Sequence, residues 1–256
     1  MGRAGYLVTK LWQFSLEALQ RPRLLPRLLR GLWRGAHFAE YLKMLRYVPW
    51  LDQWHIRTVL DVGAHVGEFA SAAWVAFPQA RIYSFEPQPQ AFSRLQAKMG
   101  SRGRWQGFQL ALGREPGRLP MWQSAYSAAS SLLPMAEAHR EAFPWTAPRA
   151  VTEVEVQTLD ALRSQLVLEP GVLLKIDVQG FELAVLEGAE ATLTQVDVCL
   201  VEASFEELYH GMPGFDALYH FLTTRGFAYR GAWSQFLAPQ DHRILQQDAL
   251  FVREKV

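Results

Sequence analysis

The stretch Thr58-Val-Leu-Asp61-Val-Gly63-Ala-His65-Val-Gly67-Glu68 decides the fold. Thr58 to Val62 is a short apolar run with strand character. Glu68 to Phe77 has helical spacing and stops before Pro78. Between them stand Gly63 and Gly67. Glycine lets a chain turn tightly and lets a ligand approach the backbone closely. A strand that runs through such a loop into a helix is the start of a βαβ unit, with the helix N-terminus aimed at whatever binds there.

The same rhythm continues outward. Arg81 to Phe85 reads as a second strand ending in Glu86-Pro87, and Pro89 to Met99 as a helix ended by Gly100 and Gly103. Trp105 to Leu112 reads as a third strand. Prolines and a Ser/Ala stretch interrupt the pattern over 113–157, where a strand or two and an ordered loop are expected. Then follow a buried strand at Val172–Asp177, a helix at Phe181–Ala191 and a strand at Asp197–Ala203. A helix at Pro213–Arg225 ends at Gly226, and closing strands lie near Phe227–Trp233 and Ala249–Arg253. Alternating strands and helices predict an α/β protein with a mostly parallel sheet.

Composition bounds the rest. The chain has 256 residues, half of them apolar and a fifth charged, so it can bury a core. Its net charge of +1 gives no field suited to nucleic acid, and none is expected as a partner. The charge is uneven, however. Residues 1–57 carry ten Lys/Arg against three Asp/Glu, and residues 58–256 carry sixteen against twenty-two. A basic N-terminal segment, 1–57, is therefore expected before the main domain, 58–256. Leu24, Leu25, Leu28, Leu29, Leu32 and Trp33 share one side of a helix at ~100° per residue, with Arg23, Arg27, Arg30 and Arg34 opposite. Pro22 and Pro26 limit that helix to about Pro26–Trp33. The segment reads as a helical cap near the cleft, with peripheral membrane contact or a lid over an anionic substrate as the other readings. No apolar stretch approaches the ~20 residues of a membrane span, and the start lacks a signal-peptide pattern. The single Cys199, in an apolar run, reads as a core residue in a reducing compartment. The expected location is cytoplasmic, with membrane association through residues 1–57 left open.

The candidate site gathers at strand ends. Glu86 stands nineteen residues after Gly67, where a carboxylate can accept both hydroxyl protons of a ribose. An adenosine-bearing cofactor follows. The glycine spacing is G-x-x-x-G behind an acid, Asp61, which would repel a pyrophosphate and suits a ligand with an ammonium and a sulfonium. Lys175-Ile-Asp177-Val-Gln179-Gly180-Phe-Glu182 is a second strand-to-helix junction. Asp177 is expected to orient the cofactor's methionine part or to accept a substrate proton. Glu182 reads as a favourable charge at a helix start, and Lys175 as a buried partner of Asp177 or Glu202, or as a substrate contact. Asp177, Glu202 and His65 are the candidate bases, in no fixed order. The spacings of common metal sites are missing, and no metal is expected. Tyr126, Ser130 and Ser131 are candidates to line the substrate pocket.

Several motifs occur in one order: Asp61-Val-Gly-Ala-His-Val-Gly67, Phe85-Glu86-Pro87, Ala111-Leu-Gly113, Ser130-Ser131-Leu132, Thr158-Leu-Asp160, Leu174-Lys-Ile-Asp-Val-Gln-Gly-Phe-Glu-Leu-Ala-Val-Leu-Glu-Gly-Ala189 and Asp248-Ala-Leu-Phe-Val-Arg253. Over about residues 56–254 this order resembles FkbM-type methyltransferases. The resemblance implies a Rossmann-like class I methyltransferase fold with a seven-stranded sheet and helices on both faces. It implies S-adenosylmethionine as donor and O-methylation of a sugar, polysaccharide or other natural-product hydroxyl, so that the partner is a small molecule or glycan. The cofactor residues it implies here are Asp61, Gly63, Ala64, His65, Gly67, Glu86, Pro87, Ala111, Asp177 and Gln179. The family usually has Asn at the position of His65 and Glu at that of Gln179. Two rival readings are an NAD-dependent oxidoreductase on the same fold and a non-catalytic scaffold.

Overall fold

The structure, a computed structural model, describes residues 26, 27, 31 and 33–254. In chain order its elements are α1 (Phe38–Leu51), β1 (Thr58–Val62), α2 (Glu68–Ala76), β2 (Arg81–Phe85), α3 (Pro89–Met99), β3 (Trp105–Phe108), β4 (Ala111–Leu112), β5 (Gly117–Ser124), α4 (Glu137–Ala142) and β6 (Pro148–Gln157). There follow β7 (Val172–Ile176), α5 (Glu182–Glu187), α6 (Glu190–Leu193), β8 (Val196–Ser204), α7 (Phe215–Thr223), β9 (Phe227–Leu237) and β10 (Ile244–Arg253).

Seven strands form one sheet in the order β3-β2-β1-β7-β8-β10-β9. The neighbours from β3 to β8 are parallel, and β10 runs antiparallel to both β8 and β9. This is a Rossmann-like class I fold. Side chains alternate between its two faces. Val59, Ile82 and Leu173 join one apolar cluster with α1, α2 and α3. Leu60, Val62 and Leu174 join the other with α5, α6 and α7. The sheet is covered on both sides, which is why β1 and β7 are buried along their whole length and read as continuous apolar runs. The chain leaves β1 toward β3 and returns at β7, so β1 and β7 flank a topological switch point, where open sheets bind ligands.

Two expected elements are divided. The strand expected at Trp105–Leu112 is β3 in the main sheet and β4 in a second sheet ordered β4-β6-β5. Beyond Phe108 the chain turns away to pair Ala111 and Leu112 with Val156 and Gln157. The helix expected at Phe181–Ala191 breaks into α5 and α6 at Gly188, where a Cβ would lie 1.9 Å from the Gly113 carbonyl oxygen. Asp160 restarts the helix, accepting the N–H groups of Ala191 at 2.8 Å and Thr192 at 2.7 Å. The closing strands β9 and β10 are longer than expected and form a hairpin with irregular register.

Residues N-terminal to position 58 contribute to the same core: Tyr41, Met44, Leu45, Val48 and Leu51 of α1 are buried against α2 and the sheet. Half of the Leu/Arg helix expected at Pro26–Trp33, with all its leucines, lies outside the described residues. Of the part described, Trp33 is 85% exposed and Arg27 pairs with Asp52 at 3.1 Å. Among the described residues no helix is long and apolar enough to cross a membrane.

Candidate active site

The loop after β1 is shaped by its contact with a second loop. Gly63 has φ +75, and a Cβ there would lie 1.8 Å from the Asp177 carbonyl oxygen. Only glycine fits, and the requirement comes from the β7–α5 loop. The N–H groups of Gly63 and Ala64 both donate to the Phe85 carbonyl at 3.0 Å, and Asp177 N–H donates to the Val62 carbonyl at 3.1 Å. Gly67 caps α2 at φ +80 and packs on Leu95 of α3. His65 and Gln179 also have positive φ, +47 and +58. Short polar side chains tolerate that region best.

A cleft of about 610 Å³, counting its open mouth, lies beside these loops. Of the residues expected to bind the cofactor, Gly63, His65, Glu86, Pro87, Ala111, Asp177 and Gln179 line it. Asp61, Ala64, Gly67 and Glu202 do not reach it. Asp61 is wholly buried beneath the loop. Its Oδ1 has no hydrogen-bond partner, and it faces Lys175 Nζ at 3.6 Å. Burial pushes the Asp61 carboxyl up to about 6, against the pull of Lys175. Lys175 also approaches Asp177 Oδ2 at 3.4 Å and donates to the Gly63 carbonyl at 3.0 Å. Burial opposes its charge, but Asp177 and Asp61 together raise its ammonium above the usual lysine range.

Glu86 is buried at the cleft wall. Its Oε2 accepts the His65 N–H at 2.9 Å and its Oε1 the Gln88 N–H at 2.9 Å. Burial raises its pKa, and those two N–H groups work against the rise. Each oxygen keeps a further lone pair for a ligand hydroxyl. Glu182 stands at the start of α5, as expected. It is buried, accepts the N–H groups of Val178 at 3.0 Å and Gly180 at 3.1 Å, and burial pushes it up to about 7. Glu202 sits behind Gln179, whose Nε2 donates to Glu202 Oε2 at 2.8 Å and to Asp177 Oδ1 at 2.9 Å. Burial and then the neighbouring Asp177, Glu182 and Asp248 hold Glu202 well above the usual carboxylate range.

The second sheet and its loop close the cleft. Leu110, Leu112, Met121 and Leu132 supply apolar walls. His65 Nε2 lies 2.8 Å from Ser127 Oγ, and Gln88 Nε2 donates to the Ser127 carbonyl at 3.1 Å. Of the three loop residues expected at the pocket, Ser130 lines it, Ser131 donates to the Gln179 carbonyl at 2.6 Å, and Tyr126 is 51% exposed. Gln88 and Ser127 were not expected. Gln88 directly follows Glu86-Pro87, a signal within reach; Ser127 carries none. Cys199 is buried in the core, with its thiol pushed up to about 12 by that burial. Among the described residues no group of three or more His, Cys, Asp or Glu is arranged to hold a metal ion.

An open α/β sheet with a cleft at its switch point, a buried Glu at the end of β2 and acids at the neighbouring loops make up the candidate site. Comparison with known proteins makes this specific. The sequence matches the model of the methyltransferase FkbM domain over residues 61–229. A 2-O-methyltransferase, NoeI, of Sinorhizobium fredii (strain NBRC 101917 / NGR234) is 30% identical over 176 residues, 66% of this chain and 72% of that protein. Among solved structures, a methyltransferase FkbM from Methylobacillus flagellatus KT gives a TM-score of 0.48 at 14% identity, covering 90% of this chain and 59% of that one. This chain thus spans less than two thirds of that protein. Cofactor-bound Rv0187 from MTB gives 0.45 at 14% identity, with 91% of each chain covered. The chain belongs to the FkbM methyltransferase family. It is a methyltransferase, and S-adenosylmethionine is the donor that goes with the family.

Proposed function

We propose that the protein transfers a methyl group from S-adenosylmethionine to a hydroxyl of a sugar, polysaccharide or other natural-product acceptor. The observation that carries this reading is the charge of the cleft: Glu86 and Asp177 line it, and no described lysine or arginine does. That lining suits a sulfonium and an ammonium and disfavours a pyrophosphate. The 2-O-methyltransferase relative supports oxygen as the acceptor atom.

The donor fits the residues present. Glu86 is available to the ribose hydroxyls, and Leu110, Leu112 and Phe85 offer an apolar slot to the base. Asp177 offers charge to the methionine end. S-adenosylmethionine supplies a methyl group on a sulfonium, already a good leaving group. The chain's task is then alignment and removal of one proton. Asp177 leads the candidate bases. It lines the cleft, its side chain is 37% exposed, and Lys175 stabilises its charge from behind. It takes the acceptor's hydroxyl proton and returns it to water through its exposed edge. Glu202 reaches the cleft only through Gln179, and His65 is tied to Ser127 and Glu68.

The test is to add purified protein and isotopically labelled methyl donor to a lysate, then search by mass spectrometry for products one CH₂ heavier. No labelled product over a wide range of lysates would overturn the reading. Peripheral membrane contact through residues 1–57 is carried by their charge, and co-sedimentation with anionic vesicles tests it; binding that ignores salt argues against it.

A further inference from the structure

Tyr209, between β8 and α7, does not line the cleft and is 1% exposed. Its hydroxyl lies 2.9 Å from Gln179 Oε1 and 3.0 Å from the Ala129 carbonyl oxygen. Both neighbours only accept, so the phenol's single proton is shared between the two acceptors. The other end of the same carboxamide is equally committed. Gln179 Nε2 carries two protons, and one goes to Asp177 Oδ1 at 2.9 Å and one to Glu202 Oε2 at 2.8 Å. The backbone of Gln179 is held as well, its carbonyl accepting from Ser131 Oγ at 2.6 Å. Every polar group of this side chain is therefore spoken for, and its orientation is fixed from both ends.

We propose that Tyr209 is a positioning residue for methyl transfer, acting through the Gln179 carboxamide to set the separation and protonation of Asp177 and Glu202. This rests on the O-methyltransferase reading, in which Asp177 takes the acceptor's proton. Without the phenol, Gln179 Oε1 loses its donor and the carboxamide is free to rotate. The two carboxylates then lose their common donor, and a carboxylate that loses a donor to its charged form is easier to protonate. Six further groups bear on them. Lys175 and Asp61 stand on β7 and β1. Glu182 and Asp248 face Glu202 from α5 and β10. Lys43 of α1 lies within the field of Asp177. His139 of α4 meets the Tyr209 ring edge-on at 5.0 Å.

The experiment uses the full chain with Tyr209→Phe, which keeps the ring and removes the hydroxyl, and Gln179→Leu as a second variant. Three quantities are measured: S-adenosylhomocysteine binding, labelled methyl transfer into a lysate across pH, and the Gln179 side-chain amide resonances across pH. We expect Tyr209→Phe to bind S-adenosylhomocysteine within about twofold of wild type, and to lose about tenfold in transfer near neutral pH, the scale of a small misplacement. The acidic limb of the rate profile and the inflection of the Gln179 resonances should both move up by about one pH unit. Gln179→Leu should shift the rate profile in the same direction and further. A uniform loss of transfer and cofactor binding with no shift means a merely structural tyrosine and overturns the proposal. The resonances need no acceptor. If wild type transfers no methyl group, the function fails, but an unmoved inflection alone still sinks the role of Tyr209.

Discussion

Lys175 and Asp61 stand directly opposite each other on adjacent parallel strands, Nζ 3.6 Å from Oδ1, beneath the loop that walls the cleft. The pair is closed to water on the Asp61 side, and Asp177 draws the same ammonium from the strand's end. Removing one partner strands the other in the interior. Lys175→Met is expected to cost about 3–5 kcal/mol of stability, the range for a broken buried ion pair. Adding Asp61→Asn should recover a large part of it. Denaturant unfolding of both single variants and the double variant decides the matter, and additive losses would show that the residues do not act as a pair.

Glu86 holds the loop and is the proposed contact to the cofactor's ribose. Its oxygens accept from His65 and Gln88 and retain lone pairs toward the cleft. Glu86→Ala should weaken S-adenosylhomocysteine binding by about 1.5–3 kcal/mol, the scale of hydrogen bonds to a charged group. Calorimetric titration checks this; equal affinity in a folded variant would remove Glu86 from the cofactor site.

Asp177→Asn keeps the shape of the side chain and removes its charge. With a known acceptor, turnover is expected to fall about 10²-fold or more, as for a positioned base. Cofactor binding should change far less. Unchanged turnover would make Asp177 structural and turn attention to Glu202 and His65.

His139 is buried with neither ring nitrogen hydrogen-bonded, and burial pushes it down to about 4 from 6.5. Between those values only the unfolded chain binds the proton, so this residue's contribution to stability falls as pH drops through that window. Asp61 and Asp248, both raised to about 6 chiefly by burial, act with the opposite sign, since the folded state holds their protons longer. The net profile therefore hides His139, and the comparison must be between proteins. Relative to wild type, His139→Phe should gain roughly 3 kcal/mol between pH 7 and pH 4. A gap that does not change with pH would place the ring in water.

The parts legible in the sequence were those where one residue type answers to one local demand. Val172–Ile176 and Thr58–Val62 are covered on both faces, so they read as apolar runs, and Gly63 announces a tight loop. β5 and β6 were blurred because most of β6 is exposed and β5 contains Pro120. β9 was read only as far as Trp233 and runs on to Leu237, and the hairpin takes Gly231, at φ +110, into an irregular step. Asp61 was read as a ligand contact because sequence gives its position at a strand end and not its depth. Ser127 and Tyr209 come from loops that only the fold brings to His65 and Gln179. No spacing could have joined them.

The contact that leaves no room for a side chain at Gly63 also packs the loop after β1 directly on the loop after β7. Whatever stiffens the first at the donor side removes freedom from the second, which carries Asp177, the proposed base. Donor and acceptor are then linked in the currency of disorder: the first to bind leaves less conformational entropy for the second to lose. Amide exchange at 63–67 and at 177–180 should slow together when S-adenosylhomocysteine binds, although that ligand includes no acceptor.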